Sequence, residues 1–221
     1  MRNQEGRPSV EQPLLVLSYL ALRKAVGIIG IALPFVLAIG KMLLQGRGLE
    51  GSISYYYYTD LRGVLVGSLW AIGVFHLSAR GYDDLDAITG RLACGLAIGV
   101  SLFPTSPWPN PTFEQEIIGD VHWTLAALLF LTLAFFCLAL FTKTSPYKQP
   151  TPQKLKRNRV YRACGWIILV SILLVPVTKI AAIKALVGSC HPIFWLEGIA
   201  VEAFGVAWLT KGEAILKDQE S

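Results

Sequence analysis

Four ionisable side chains inside long apolar stretches are the residues of this chain best placed to do chemistry. They are His76, His122, Glu197 and Glu202. In the core of a lipid bilayer a charged side chain costs roughly 3 kcal/mol or more, so each of these residues needs a functional or structural reason. Glu197 and Glu202 are five positions apart. That spacing puts them on different sides of a helix, so these two alone do not form a paired-carboxylate site.

Further polar residues fall near the ends of apolar stretches that we predict to share one membrane face. The run Tyr55–Tyr58 precedes Asp60 and Arg62, and Asp120 and His122 begin another apolar stretch. Polar groups that converge on a cavity are typical of a binding or catalytic site. The sequence assigns no catalytic residue. The candidate ligand-binding residues are Tyr57, Asp60, Arg62, Asp120, His122, Glu197 and Glu202.

Each candidate also has an alternative interpretation. A run of tyrosines at an interface is typical of an aromatic belt, and Asp60 and Arg62 could simply pair at the start of a helix. His122, at the edge of its stretch, could be an interfacial polar residue. For Glu197 we expect either a neutral, hydrogen-bonded carboxyl group or an ion pair with Arg62 or His122.

The sequence predicts no metal site and no cofactor. The three histidines are His76, His122 and His191, and no two of them have the spacing of four that would place two ligands on one helix face. The four cysteines form no C-x-x-C pair. We interpret them as small buried apolar residues.

The elements that carry these residues follow from composition. The chain has 221 residues, of which 53% are hydrophobic and only 16% are charged, whereas a soluble domain has about 25% charged residues. The apolar residues are clustered in long blocks. This pattern excludes a disordered chain, a nucleic-acid binder and an ordinary soluble enzyme, and it predicts an integral membrane protein.

We predict an all-α, polytopic bundle of six transmembrane helices, because about 20 mostly apolar residues are needed to cross a bilayer. A polar amino terminus with an interfacial helix (1–24) precedes the membrane domain (25–210), and a tail (211–221) follows it. A basic loop, 143–159, connects the two halves. The predicted spans are 25–44, 61–79, 88–106, 121–142, 160–182 and 192–210.

The basic residues predict an orientation. With six spans, 15 of the 20 lysines and arginines fall on the side of both termini. Cytoplasmic loops hold the excess of such residues, so both termini are predicted to be cytoplasmic, in the inner membrane of a bacterium. The net charge of +5 therefore marks topology and does not indicate nucleic acid.

Glycines at a spacing of four predict close helix contacts. The pairs with this spacing are Gly63–Gly67 and Gly95–Gly99. In the last span Gly198, Glu202 and Gly205 share a helix face. We expect that face to press against a neighbouring helix and to carry Glu202 into the bundle.

Several short segments resemble a group of uncharacterised bacterial multi-pass membrane proteins. They include 22–27, 52–57, Arg80-Gly81-Tyr82-Asp83 and Phe194-Trp195-Leu196-Glu197. The resemblance runs from about Ser18 to Lys217 and implies a six-span bundle without an assigned activity. A more distant similarity is to the ceramidase-like (CREST) membrane hydrolases, which bind zinc through three histidines. The predicted topology keeps the three histidines of this chain apart, so it does not predict a zinc hydrolase.

The favoured function is a binding or transport-like bundle with a polar outer-face vestibule for a small molecule, a lipid headgroup or an ion. One alternative is a structural or accessory membrane subunit. The other is a lipid-acting hydrolase in which His122 or Glu197 acts as general base and Arg62 holds a phosphate or carboxylate. The expected partners are the lipid bilayer, one of these ligands and a second copy of the chain in a homodimer, with no nucleic acid.

Overall fold

The computed structural model describes residues 11–46, 48–77, 84–144 and 149–216, with side chains from Leu20 onwards. Some sequence interpretations fall elsewhere. The charged segment Arg80–Asp83 lies outside the described residues, as do the first ten residues and residues 217–221 of the carboxyl-terminal tail.

The described residues form helices and connecting segments, with no β-strand. Within these described residues seven α-helices follow one another, and α4 continues directly into a π-helical turn, Phe136–Leu140. Short 3-10 helices lie at Ser54–Tyr58 and Gly188–Cys190. The α-helices are α1 Glu11–Gln45, α2 Arg62–Leu77, α3 Asp84–Leu102, α4 Phe113–Phe135, α5 Pro152–Val177, α6 Ala181–Val187 and α7 Pro192–Lys211.

Among the described residues, five helices are long and apolar enough to cross a membrane: α1, α3, α4 with its π turn, α5 and α7. This confirms the prediction of an all-helical fold with several helices able to cross a membrane. Helix α2 is also apolar but has only 16 residues. At a rise of 1.5 Å per residue it is about 24 Å long, shorter than the roughly 30 Å hydrocarbon core.

Helix bounds differ from four predicted spans. Helix α1 begins at Glu11, 14 residues before the predicted span that starts at 25. Helix α3 ends at Leu102, short of position 106. Helix α4 begins at Phe113, eight residues before the predicted span, since Thr112 and Gln115 form a reciprocal capping box. Helix α5 begins at Pro152 inside the predicted loop 143–159, because Thr151 caps it.

Helix α7 lies between α1 and α5, and α2 and α3 pack against each other. The main core gathers around Phe204 and Trp208 of α7, both almost fully buried. A smaller apolar cluster joins Leu37 of α1 to Ile53, Tyr56 and Phe194 at one end of the bundle. We call this end, where α2, α4 and α7 begin, the upper end, and the opposite end the lower end.

The glycine contacts agree only in part with the prediction. Gly205 does press against α1, where a Cβ atom added to it would lie 2.8 Å from the Gly27 carbonyl oxygen. For Gly63, Gly67 and Gly95, by contrast, no atom of another described element lies within 4 Å of an added Cβ. The predicted close contacts at these three glycines are therefore wrong.

The contact between α2 and α3 uses other glycines. A Cβ atom on Gly90 would lie 2.7 Å from the His76 carbonyl oxygen, and one on Gly73 would lie 3.3 Å from the Ala97 Cβ atom. Gly99 faces α4, because its Cβ would lie 3.0 Å from a methyl carbon of Leu125.

Candidate binding cavity

A cavity lies inside the upper half of the bundle, bounded by α1, α2, α3, α4, α7 and the 3-10 helix Ser54–Tyr58. The space open to the centre of a water molecule is about 70 Å³, several times the roughly 15 Å³ that one water needs. Its walls are mostly apolar, and Ile72, Leu133 and Phe204 close it towards the lower end. Five polar side chains line its upper part: Ser54, Tyr57, Ser101, His122 and Glu197.

Glu197 is held by backbone groups. Its Oε2 accepts hydrogen bonds from the backbone nitrogens of Ile53, at 2.7 Å, and Ser54, at 3.3 Å. These nitrogens begin the 3-10 helix, and the first N–H groups of a helix need partners outside it. The side chain is 9% exposed. No hydrogen bond from a described residue reaches its other oxygen, Oε1.

Of the two expectations for Glu197, the contacts match the hydrogen bonding and not the ion pair. The carboxyl group is hydrogen-bonded, and among the described residues it forms no ion pair with Arg62 or His122. The backbone reaches Glu197 because the Gly51 carbonyl oxygen accepts a hydrogen bond from the Phe194 nitrogen at 3.2 Å. The loop before the 3-10 helix is therefore fixed to the first turn of α7.

His122 is the second buried ionisable group of the cavity, at 4% exposure. Its Nδ1 lies 2.6 Å from the Phe103 carbonyl oxygen. A carbonyl oxygen can only accept, so Nδ1 carries the proton in this contact. In the neutral imidazole Nε2 is then a hydrogen-bond acceptor.

The four tyrosines Tyr55–Tyr58 make different contacts. Tyr57 lines the cavity, and Tyr56 is fully buried against Phe194. Tyr58 donates to the Thr105 carbonyl oxygen at 2.6 Å. The Tyr55 oxygen accepts from the Trp108 nitrogen at 2.6 Å. The run therefore connects the 3-10 helix to the segment between α3 and α4, instead of forming only an interfacial belt.

Arg62 borders the cavity through Tyr57. Its guanidinium group donates a short hydrogen bond to the Tyr57 hydroxyl oxygen and lies 4.0 Å from the centre of that ring. The Arg62 side chain is itself exposed and is not part of the cavity wall.

Three candidate residues lie elsewhere. Asp60 is exposed and accepts a hydrogen bond from Gln45 at 2.9 Å. Asp120 is exposed on the outer side of α4, in a shallow groove with Thr124. Glu202 is half-buried and does not line the cavity. The structure thus brings Tyr57, His122 and Glu197 together and leaves these three apart.

Two lysines at the upper end were not among the candidates. Lys41 is buried and forms an ion pair with Glu50. The sequence pattern that could have indicated this ion pair is a lysine inside an apolar stretch with a glutamate nine residues later. Lys179, after α5, lies 3.5 Å from the centre of the Trp123 ring. Burial lowers the pKa of Lys179, while the negative charges of Glu197 and Asp120 raise it.

His76 lies below the cavity in an aromatic enclosure. Its ring stacks on Phe204 at 5.7 Å and meets Phe136 and Trp208 edge-on. Its Nδ1 is 2.7 Å from the Ile72 carbonyl oxygen, while its Nε2 is buried without a partner. His76 does not line the cavity and does not approach His122 as a joint ligand set.

No group of three His, Cys, Asp or Glu side chains in the described part of the chain is placed to hold a metal ion. Cys94, Cys137 and Cys164 are buried, as expected, whereas Cys190 is exposed; all four are free thiols.

Comparison of the chain with known protein families, with curated proteins and with solved structures finds no match.

Proposed function

We propose that this chain is a membrane-embedded binding protein that takes a small molecule with an apolar body into the upper cavity. The observation that carries the proposal is the partly enclosed apolar space with a nine-tenths-buried carboxyl group at its polar end. Ligand sites are typically apolar pockets with a few placed polar groups. Apolar walls favour such a molecule over a bare ion.

We further propose six spans, with α2 as a short sixth span and both termini in the cytoplasm. A short span is accommodated by local thinning of the bilayer at modest cost. The excess of basic residues on the side of the termini, 15 of 20, supports this orientation. The upper end, with the cavity, then faces the outer side of a bacterial inner membrane.

A cavity-filling substitution tests the binding function. Ala126 lines the cavity, so Ala126→Phe should occupy the space that a ligand needs. The probe is 1-octanol, added to the purified full-length chain in detergent while the thermal unfolding midpoint is measured. At about ten times its dissociation constant, a ligand stabilises the folded state by roughly 1.4 kcal/mol. We expect 1-octanol to raise the midpoint of the unsubstituted chain and to leave that of Ala126→Phe unchanged.

Two further variants control for folding. Leu128→Phe adds bulk to an exposed position of the same helix and should keep the response to 1-octanol. Val201→Phe fills the cavity from α7 and should lose the response. A response that is equal in all four proteins, or absent from all four, would contradict the proposal and favour the structural subunit.

A further inference from the structure

We infer that the ligand of this cavity is a single-chain amphiphile whose head group donates hydrogen bonds, with a protonated amine as the best match. The inference rests on the proposed binding function and adds the chemical class of the ligand.

With Glu197 ionised and His122 neutral, the hydrogen-bonding roles left open at the polar end are those of acceptors. Glu197 Oε1 has no donor from the described residues, because the Ile53 and Ser54 nitrogens both bind Oε2. His122 Nε2 is an acceptor because Nδ1 donates to Phe103.

One of the three hydroxyl groups at this end has its proton engaged. Ser101 donates its proton to the Ile98 carbonyl oxygen at 2.7 Å, so towards the cavity it can only accept. Tyr57 already accepts from Arg62. Ser54 and Tyr57 can still rotate their protons, whereas the open position on ionised Glu197 is the acceptor Oε1. A ligand that supplies N–H or O–H groups fits this end of the cavity.

The charge of the Glu197 carboxylate also favours a head group that donates hydrogen bonds. A carboxylate enclosed by apolar walls is costly unless a cation pairs with it, and a charge-assisted hydrogen bond is stronger than a neutral one. Two cations lie near this end of the cavity: Arg62 lies on Tyr57, and Lys179 lies on Trp123 and also interacts electrostatically with Glu197. Neither lines the cavity. An ammonium group is therefore the ligand head that fits Glu197.

The size of the cavity favours a ligand with one chain. The part of α7 that borders the cavity runs from Glu197 to Phe204. Its length is about 10 Å at 1.5 Å per residue. With about 70 Å³ open to water centres, the space suits a short alkyl chain better than the paired acyl chains of a phospholipid.

The test compares two probes that share a chain and differ in the head group. Binding of octylamine and of octanoate to the full-length protein in detergent at pH 7 is measured by equilibrium dialysis. We expect octylamine to bind about tenfold tighter or more, since hydrogen bonds to charged groups are among the stronger ones.

Glu197→Gln is the decisive variant. The Gln side-chain oxygen can keep the bonds from Ile53 and Ser54, which turns its NH2 group, a donor, towards the cavity. The preference for octylamine should therefore be lost, with octanoate gaining relative to it. Glu202→Gln removes a carboxyl group from the same helix outside the cavity and should keep the preference of the unsubstituted chain.

The outcomes separate this inference from the proposed function. Equal binding of the two probes, or tighter binding of octanoate, overturns the inference and leaves the cavity as a binding site. Binding of neither probe, together with no response to 1-octanol, overturns the proposed function itself. Displacement of octylamine by vesicles of phosphatidylethanolamine, but not of phosphatidylcholine, would show that the amine belongs to a two-chain lipid and would overturn the single-chain assignment.

Discussion

At the scale of single residues, the ion pair between Lys41 and Glu50 fixes the loop that leads to the cavity. The two side chains are 7% and 21% exposed. Removing one partner of such a buried pair leaves the other charge without compensation, which typically costs 3–5 kcal/mol. Glu50 also lies three residues before Ile53, whose nitrogen binds Glu197. The pair therefore supports the polar end of the cavity as well as the fold.

We expect Lys41→Met to lower the free energy of unfolding by about 3 kcal/mol, because it leaves the Glu50 carboxylate without its cationic partner. The measurement is denaturant-induced unfolding of the purified chain in detergent. The double variant Lys41→Met, Glu50→Leu removes both charges and should be the more stable of the two. If the double variant loses at least as much stability as the single one, the pairing does not account for the burial of Lys41.

Residue types and positions near the ends of apolar stretches were enough to predict Tyr57, His122 and Glu197 as members of one site. They were not enough to exclude Asp120 and Glu202. The depth of a residue in the bundle follows from its sequence position, but the direction of its side chain depends on how the helix is rotated about its axis. At 3.6 residues per turn, side chains two positions apart point about 200° away from each other. Asp120 accordingly faces outward while His122, two residues later, faces the cavity.

At the scale of elements, the contact between α1 and α7 depends on Gly205. An added Cβ atom would lie 2.7 Å from the Ile31 Cγ1 atom and 2.8 Å from both the Ile31 nitrogen and the Gly27 carbonyl oxygen. Two of these atoms belong to the backbone, so the helices would have to separate. Helix α7 carries Glu197, and a shift of α7 would also disturb the cavity.

We expect Gly205→Ala to destabilise the chain by about 1–3 kcal/mol, the usual cost of overpacking. The matched control is Gly67→Ala in α2, where an added Cβ meets no atom of another described element within 4 Å. That change should be neutral or stabilise by up to about 1 kcal/mol, because alanine is the better helix former. Thermal unfolding midpoints of both variants in the same detergent give the comparison. A smaller loss for Gly205→Ala than for Gly67→Ala would contradict the close contact.

The helices themselves could be predicted, because hydrophobic blocks determine where long apolar helices form. Their contacts could not be read from glycine spacing. Gly63 and Gly67 have the expected spacing but contact no other helix in the described part of the chain, whereas the isolated Gly73 and Gly90 bring α2 and α3 together. A spacing of four puts two glycines on one face but does not say which neighbour that face meets.

At the scale of the whole molecule, the bundle leaves many large apolar side chains exposed, among them Leu43, Leu173 and Trp166. Such extensive apolar exposure suits a lipid environment and not water. Composition alone predicted this class. The number of spans, their orientation and the resemblance to uncharacterised multi-pass proteins stay predictions, because basic-residue bias and helix length are indirect indicators of how a chain crosses a bilayer.

The native cysteines allow the orientation to be measured. Cys190 is the exposed thiol, at the upper end just before α7, while Cys94, Cys137 and Cys164 are buried. With both termini in the cytoplasm, the upper end faces outward, and a membrane-impermeant maleimide should label the chain in right-side-out vesicles but not in inside-out vesicles. Cys190→Ser should abolish the labelling, which shows that the signal comes from this thiol. Labelling confined to inside-out vesicles would reverse the orientation. The cavity would then have its polar end towards the cytoplasm, contrary to the bias of basic residues.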